Sequence, residues 1–319
     1  MACDDTTREL VDNRPPSREV GGIGAGDRSH GVLTRPAREP NIAKGGIEIL
    51  APTSYATNAR DGVRLYLEDD GGGGAPVLIL GGFLDPIELV RRAPIAQALA
   101  ATPHEFRLVF VDHRGHGRSD KPHDADAYAM PLRVADVVAV LDGLRIRQAH
   151  LLGISWGGRL CFGVGRHAPE RVRSLIAIGQ HPYEIDRDGP LARVVGDALE
   201  ASKQRGIGAL VEAFEAIAGR YPDDVRSTYL ASDAEAMRAA WEAATVEGAV
   251  ADDLRTWSLR CLICAAEDDA DFFEDARRAA SEIPNAEFAA IPGTDHLGVD
   301  TARVDPVLPA VLHTLRDAT

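Results

Sequence analysis

The feature that most constrains the fold is a serine that lies between two glycines, where an apolar run meets a helical pattern. The apolar run covers residues 149–152, Ser155 stands between Gly153 and Gly157, and a helix-compatible segment follows over residues 159–167. This order predicts a strand, a sharp turn with the serine at its apex, and a helix. Such a turn strains the serine backbone and exposes its hydroxyl at a helix N-terminus. The same pattern also occurs in turns whose serine has no chemical role.

Composition and charge narrow the class of partner. The chain has 319 residues and a net charge of −14, so it lacks the basic surface that binding to nucleic acid or to an anionic membrane requires. No apolar run is long enough to cross a bilayer, and the N-terminal residues lack the apolar segment of a secretory signal. We therefore expect a cytoplasmic protein that acts on a small molecule. The sequence does not indicate an oligomeric state.

The four cysteines do not predict a metal or redox site. Cys261 and Cys264 have the C-x-x-C spacing, but they lie within an apolar run typical of a strand. Strand residues three apart point to opposite faces, and a second ligand pair is missing from the sequence. We interpret both cysteines as structural, and free thiols fit a reducing cytoplasm. No metal and no cofactor is expected.

The order of apolar runs and helical patterns predicts an α/β fold. The Asp61-Gly62 pair predicts a hairpin, and buried strands that alternate with helices predict a mostly parallel twisted sheet with helices on both faces. One helix is expected over residues 87–101. The strands expected in the parallel part cover residues 76–80, 108–111, 149–152, 172–178, 262–265 and 286–291.

The same patterns predict the domain organisation. Residues 1–48 are rich in Gly, Pro and polar residues and are expected to be a disordered N-terminal extension. Residues 49–181 and 257–319 form the predicted core. Residues 182–256 interrupt the alternation with a run of amphipathic helices, and this insertion is expected to cap the carboxyl ends of the strands, where ligands bind in such folds.

An acid and a histidine follow the last two predicted strands. A serine hydroxyl is a weak nucleophile until a base takes its proton, and that base needs an orienting acid. Residues 267–271 contain three aspartates and a glutamate directly after one strand, and Asp295-His296 follows the next. The chain order of serine, acid and histidine is the one found with a nucleophile elbow.

Together these motifs resemble the α/β-hydrolase superfamily over roughly residues 50–319. The elbow around Ser155, the acid turn and the late histidine are joined by a loop that reads D-x-R-G-x-G-x-S from Asp112 to Ser119. The resemblance implies that Ser155 is the nucleophile and His296 the general base. Asp269 takes the place of the family's acid. The alternatives for the acid are Asp268, Asp271 and Glu184.

The resemblance also implies an oxyanion hole made of backbone amides. Trp156 follows the nucleophile and supplies one amide, and Phe83 in the loop after an early strand supplies the other. The family usually has a histidine at the position of Gly81, so we expect this loop to be less firmly braced than in relatives. The side chains predicted to line the pocket are Leu84, His181 and Tyr183.

These expectations favour a serine hydrolase that cleaves carboxylic esters of small or medium-sized apolar molecules through an acyl-enzyme. Ser155 argues against epoxide hydrolases and haloalkane dehalogenases, which carry aspartate at this position. The same three residues also serve lactonases, carbon–carbon bond hydrolases, amidases and cofactor-free haloperoxidases. A non-catalytic small-molecule receptor on the same scaffold is the alternative from another class.

Overall fold

The structure is a computed structural model that describes residues 53–102, 104–299 and 305–317. The predicted extension, residues 1–48, lies outside the described residues.

Eight strands form one sheet in the order β1-β2-β4-β3-β5-β6-β7-β8. The first two strands pair antiparallel as the predicted hairpin, β2 pairs antiparallel with β4, and all remaining neighbours are parallel. The prediction of a mostly parallel sheet is confirmed. The strands are β1 (Thr53–Thr57), β2 (Arg64–Asp69), β3 (Ala75–Leu80), β4 (Phe106–Val111), β5 (Ala149–Ile154), β6 (Val172–Ile178), β7 (Arg260–Ala266) and β8 (Ala286–Ile291).

The helices pack on both faces of this sheet and above it. They are α1 (Ile87–Val90), α2 (Pro94–Ala100), α3 (Met130–Gly143), α4 (Trp156–His167), α5 (Pro190–Arg205), α6 (Gly208–Ala218), α7 (Asp223–Leu230), α8 (Ala234–Val246), α9 (Phe273–Glu282) and α10 (Leu308–Asp317).

The prediction of a single helix over residues 87–101 is wrong, because the segment forms two short helices, α1 and α2. Pro94 has no amide proton to donate, and it disfavours a helical conformation at the residue before it. Ala93 accordingly has an extended ψ of 134°, and the second helix starts at the proline.

The central strands are buried on both faces. Alternate residues of β3 belong to two separate apolar clusters, with Leu78 in the cluster on one face and Ile79 in the cluster on the other. Cys261 and Cys264 are divided between the same two clusters, so they lie on opposite faces of the sheet. Burial raises the pKa of each thiol to about 12, which keeps both protonated and unreactive.

Helices α5–α8 lie between β6 and β7 in the chain, in the segment predicted to be a cap, and are called the cap below. Their apolar faces pack together in a cluster of their own, which also takes in Leu84 from the loop after β3. No helix in the described part of the chain is both long and apolar enough to cross a membrane.

Candidate active site

Ser155 occupies the sharp turn between β5 and α4. Its backbone has φ +45° and ψ −108°, a conformation that non-glycine residues rarely adopt. The Ser155 amide donates a hydrogen bond to the carbonyl oxygen of Ile178 over 2.7 Å, which ties the turn to the end of β6. The strained backbone is therefore held by the neighbouring strand.

The two glycines around Ser155 are required by close backbone contacts. A Cβ atom at Gly153 would lie 2.3 Å from the carbonyl group of Gly157, and one at Gly157 would lie 2.3 Å from the carbonyl oxygen of Leu80. Both contacts are with backbone atoms, which cannot move aside as a flexible side chain can. Only glycine lets strand and helix approach closely enough to form this turn.

Three polar side chains converge at the carboxyl ends of β5, β7 and β8. The Oγ of Ser155 lies 2.8 Å from Nε2 of His296, and Nδ1 of His296 lies 2.7 Å from Oδ2 of Asp269. The carboxylate can only accept, so Nδ1 carries the ring proton and Nε2 is free to accept the serine proton.

Asp269 is fixed in place by the loop that carries it. Its side chain is 1% exposed, and its Oδ1 lies 3.2 Å from each of the amides of Asp271 and Phe272, from which it accepts hydrogen bonds. The loop amides thus hold one carboxylate oxygen while the other faces His296.

The alternative acids lie elsewhere. Asp268 and Glu184 are exposed to solvent. Asp271 accepts a hydrogen bond from the amide of Leu191 over 3.0 Å, which places it at the N-terminus of cap helix α5. Among the four acids weighed from the sequence, the structure brings only Asp269 to His296.

Phe272 is a site residue that sequence reasoning missed. Its ring packs against His296 with centroids 4.4 Å apart, and its other neighbour is His181 at 5.3 Å. This contact restricts the orientation of the imidazole. Phe272 was missed because nothing in the sequence distinguishes a phenylalanine after an acid turn from an apolar residue of the core.

The predicted oxyanion residues also lie beside Ser155. Trp156 is the first residue of α4, where a helix leaves its amides without intrahelical acceptors. Phe83 lies in a tight turn over residues 82–85, and its ring is 5.2 Å from that of Trp156. The two aromatic rings form one wall of the site.

The first residue of the loop after β3, which the sequence predicts to be less firmly braced than in relatives, makes two polar contacts in the structure. Nε2 of His113 lies 3.0 Å from the carbonyl oxygen of Gly81, which also accepts a hydrogen bond from the Gly157 amide over 3.0 Å. His113 is buried, and desolvation holds its pKa well below the ordinary value, so the ring is neutral. A histidine from the loop after β4 thus contacts the start of the loop after β3.

The site opens into a cavity between the sheet and the cap. The space free of protein atoms is about 970 Å³, including the part open to solvent. The walls are mainly apolar, and the described lining residues include three aspartates but no Lys or Arg. Side chains from the cap include Val195, Phe214, Tyr229 and Trp241, and the carboxylates are Asp85, Asp186 and Asp271.

Of the side chains predicted to line the pocket, only His181 does so. It is buried, and desolvation lowers its pKa to about 4, so it is neutral. Leu84 is instead buried in the apolar cluster of the cap. The Tyr183 ring packs against His181, with ring centroids 5.7 Å apart, and the guanidinium of Arg278 stacks on the Tyr183 ring.

No group of three or more His, Cys, Asp or Glu residues within the described ranges is arranged to hold a metal ion.

Comparison with known proteins places this geometry in context. A family profile described as the alpha/beta hydrolase fold matches residues 75–302. An epoxide hydrolase from Caballeronia sordidicola is 32% identical over 120 residues, which cover 38% of this chain and 35% of that protein. A 2-hydroxymuconate semialdehyde hydrolase from Pseudomonas sp. (strain CF600) is 32% identical over 147 residues, which cover 46% of each chain. The chain thus spans less than half the length of these curated relatives.

A solved structure matches over a larger part of the chain. The enol-lactonase from Burkholderia xenovorans LB400 has 20% sequence identity and a TM-score of 0.69, and the match covers 82% of this chain and 99% of that one. At this identity the similarity shows a shared fold.

Proposed function

We propose that this chain, which belongs to the alpha/beta hydrolase family, is a serine hydrolase of carboxylic esters with small or medium-sized apolar groups. The observation that carries the proposal is the continuous contact from Ser155 through His296 to Asp269, with distances of 2.8 and 2.7 Å.

The proposed reaction begins with proton transfer. Nε2 of His296 takes the hydroxyl proton of Ser155 as Oγ attacks the acyl carbon, and Asp269 stabilises the imidazolium that forms. The tetrahedral intermediate collapses when its carbon–oxygen bond to the alcohol breaks and His296 returns the proton to that oxygen. Ser155 then carries the acyl group as an ester.

Water completes the cycle through the same residues. His296 takes a proton from water, the resulting hydroxide attacks the acyl carbon, and the bond to Ser155 breaks as its Oγ regains the proton. In both steps the negative oxygen of the intermediate is stabilised by the amides of Phe83 and Trp156. One such donor contributes about 3 kcal/mol in enzymes where it has been removed.

The charge of the cavity supports an uncharged substrate. Asp85, Asp186 and Asp271 line it, and the described lining residues include no Lys or Arg that could bind a carboxylate. One relative is named 2-hydroxymuconate semialdehyde hydrolase, and the compound in that name carries a carboxylate group. Desolvating an anion next to like charges is unfavourable, so we propose that this chain prefers neutral esters.

Ser155 also separates the proposed activity from that named for the epoxide hydrolase relative, because the superfamily's epoxide hydrolases carry aspartate at the nucleophile position. Lactones are cyclic esters and need no additional residue, so lactonase activity remains an alternative on the same site. Carbon–carbon bond hydrolysis, haloperoxidase activity and a non-catalytic receptor are further alternatives.

A substrate panel tests the proposal. Purified protein and Ser155→Ala are assayed with neutral esters, the same esters carrying a terminal carboxylate, lactones, amides and diketones. We expect the highest kcat/KM for a neutral ester, at least ten-fold lower values for its carboxylate analogue, and no turnover by Ser155→Ala. Equal activity of Ser155→Ala, or preference for a diketone, would contradict the proposal.

A further inference from the structure

The turn that carries Phe83 is strained and closes on itself. Leu84 has φ +76°, a left-handed conformation that is unfavourable for residues other than glycine. The Asp85 amide donates to the carbonyl oxygen of Gly82 over 3.2 Å, and Oδ2 of Asp85 accepts from the Gly82 amide over 3.0 Å. Phe83 lies between these two bonds, so the direction of its amide depends on them.

Each of the last three residues of this turn contacts the cap. The Phe83 ring lies 6.1 Å from that of Trp241 on α8. The Leu84 side chain is 1% exposed and packs into the cap's apolar cluster. Oδ1 of Asp85 accepts a hydrogen bond from the Tyr229 hydroxyl on α7 over 2.9 Å. Three consecutive residues are therefore held from above by the cap.

The core, by contrast, holds the start of the loop. His113 and the Gly157 amide both contact the carbonyl oxygen of Gly81, one residue before the turn. The strain at Leu84 persists only where surrounding contacts maintain it. Within the turn, the core contacts the Phe83 ring through Trp156 and His116. The backbone of the turn is held by Asp85, and the cap contacts it through Leu84 and Asp85.

We propose that the cap completes the oxyanion hole, with Tyr229 and Asp85 as positioning residues that aim the Phe83 amide at the developing oxyanion. This inference rests on the proposed function, since it concerns the transition state of ester hydrolysis. Donors stabilise an oxyanion best when they are already oriented before the reaction. Loosening the turn therefore weakens transition-state binding more than substrate binding.

Four variants separate the contacts. Tyr229→Phe removes only the hydroxyl that reaches Asp85, and we expect kcat to fall about ten-fold with KM changed less than two-fold. Asp85→Ala removes the bonds of the carboxylate to Gly82 and to Tyr229, and we expect a fall in kcat of about 100-fold. Asp85→Asn can accept from Gly82 and donate to the Tyr229 oxygen, so it should stay within about three-fold of wild type. Ser227→Ala, an exposed change on the same helix, is the matched control.

A transition-state analogue distinguishes positioning from general damage. A boronic acid that forms a tetrahedral adduct with Ser155 should bind Tyr229→Phe more weakly by the same factor by which kcat/KM falls. Active sites are titrated with a fluorophosphonate so that misfolded molecules do not enter the rates. Equal loss of boronate affinity and kcat/KM in Tyr229→Phe, together with near-normal Asp85→Asn, is the expected result.

Two results would overturn the inference. In one, Tyr229→Phe matches Ser227→Ala in both kcat and boronate affinity. In the other, Tyr229→Phe raises KM and leaves kcat unchanged, which would make Tyr229 a substrate contact. A wild-type protein that hydrolyses no ester and does not react with the fluorophosphonate would instead defeat the proposed function.

Discussion

Two turns at the carboxyl edge of the sheet carry the proposed chemistry, and they are stabilised in different ways. The turn at Ser155 is fixed by backbone: a positive φ, two glycines in contact with peptide groups, and an amide bond to Ile178. The turn at Phe83 is fixed by side chains, chiefly Asp85 and Tyr229. The contacts that fix Ser155 thus come from the backbone of the core, whereas the turn at Phe83 is held in part by side chains of the cap.

The two turns differ in how much sequence change they tolerate. A turn fixed by backbone contacts tolerates almost no substitution at its glycines. A turn held by side chains from an insertion can change whenever the insertion does. We therefore expect changes in the cap to alter rate and selectivity while the position of Ser155 stays constant.

The largest expected effect concerns the acid that orients His296. Asp269→Asn keeps the shape but can no longer hold the imidazole in the required tautomer, and we expect kcat to fall by about 10⁴-fold. Asp268→Asn, an exposed neighbour in the same turn, should leave kcat unchanged within about two-fold. Steady-state kinetics on a neutral ester measures both, and equal losses in the two variants would remove Asp269 from the proposed role.

Substitution of a glycine in the turn at Ser155 is expected to change the free energy of unfolding. Gly157→Ala gains about 1 kcal/mol of helix propensity, but its Cβ would lie 2.3 Å from a carbonyl oxygen of β3. Because that oxygen is backbone, we expect the clash to dominate and the free energy of unfolding to fall by about 3 kcal/mol. Gly73→Ala meets no atom within 4 Å and should change it by less than about 0.5 kcal/mol. Urea unfolding of Gly157→Ala and Gly73→Ala measures both changes in stability. Equal unfolding midpoints for the two variants would show that the backbone around Gly157 moves to accept the added Cβ atom.

A smaller, pH-dependent effect on the free energy of unfolding is expected from the loop beneath the oxyanion turn. Desolvation lowers the pKa of buried His116 to about 4, below its ordinary value of 6.5. Between those pH values the unfolded chain binds a proton that the folded chain does not, so the free energy of unfolding falls as pH drops from 6.5 towards 4. This one group contributes a slope of up to about 1.4 kcal/mol per pH unit.

His116→Gln removes the titrating group, and its stability curve should therefore be flatter than that of the wild type over this range. Urea unfolding at a series of pH values measures both curves. Parallel curves for wild type and variant would mean that His116 titrates alike in both states.

Much of the fold and the core of the site could be predicted from the sequence because both depend on local patterns. Buried apolar runs and the Asp61-Gly62 turn predicted the strands correctly, and the break at Pro94 was missed because the apolar pattern continues across it. Ser155, Asp269 and His296 each follow a strand, and parallel strands bring their ends to one edge. Predicting that these three residues converge therefore required only the order of the strands.

The contacts that hold the oxyanion turn could not be predicted in this way. Asp85 and Tyr229 are 144 positions apart in the chain, and Gly81 and His113 are 32 apart. Nothing in the local pattern around Tyr229 distinguishes it from a residue of the cap interior. Such contacts arise from how the cap sits on the sheet, which depends on the packing of several helices at once.

The proposed role of Ser155 is tested most directly by identifying the residue that a fluorophosphonate modifies. We expect one adduct per molecule, located on Ser155 by mass spectrometry of the digested protein, with labelling abolished in Ser155→Ala and strongly slowed in His296→Ala. An adduct on another residue, or labelling of Ser155→Ala at the wild-type rate, would contradict the account.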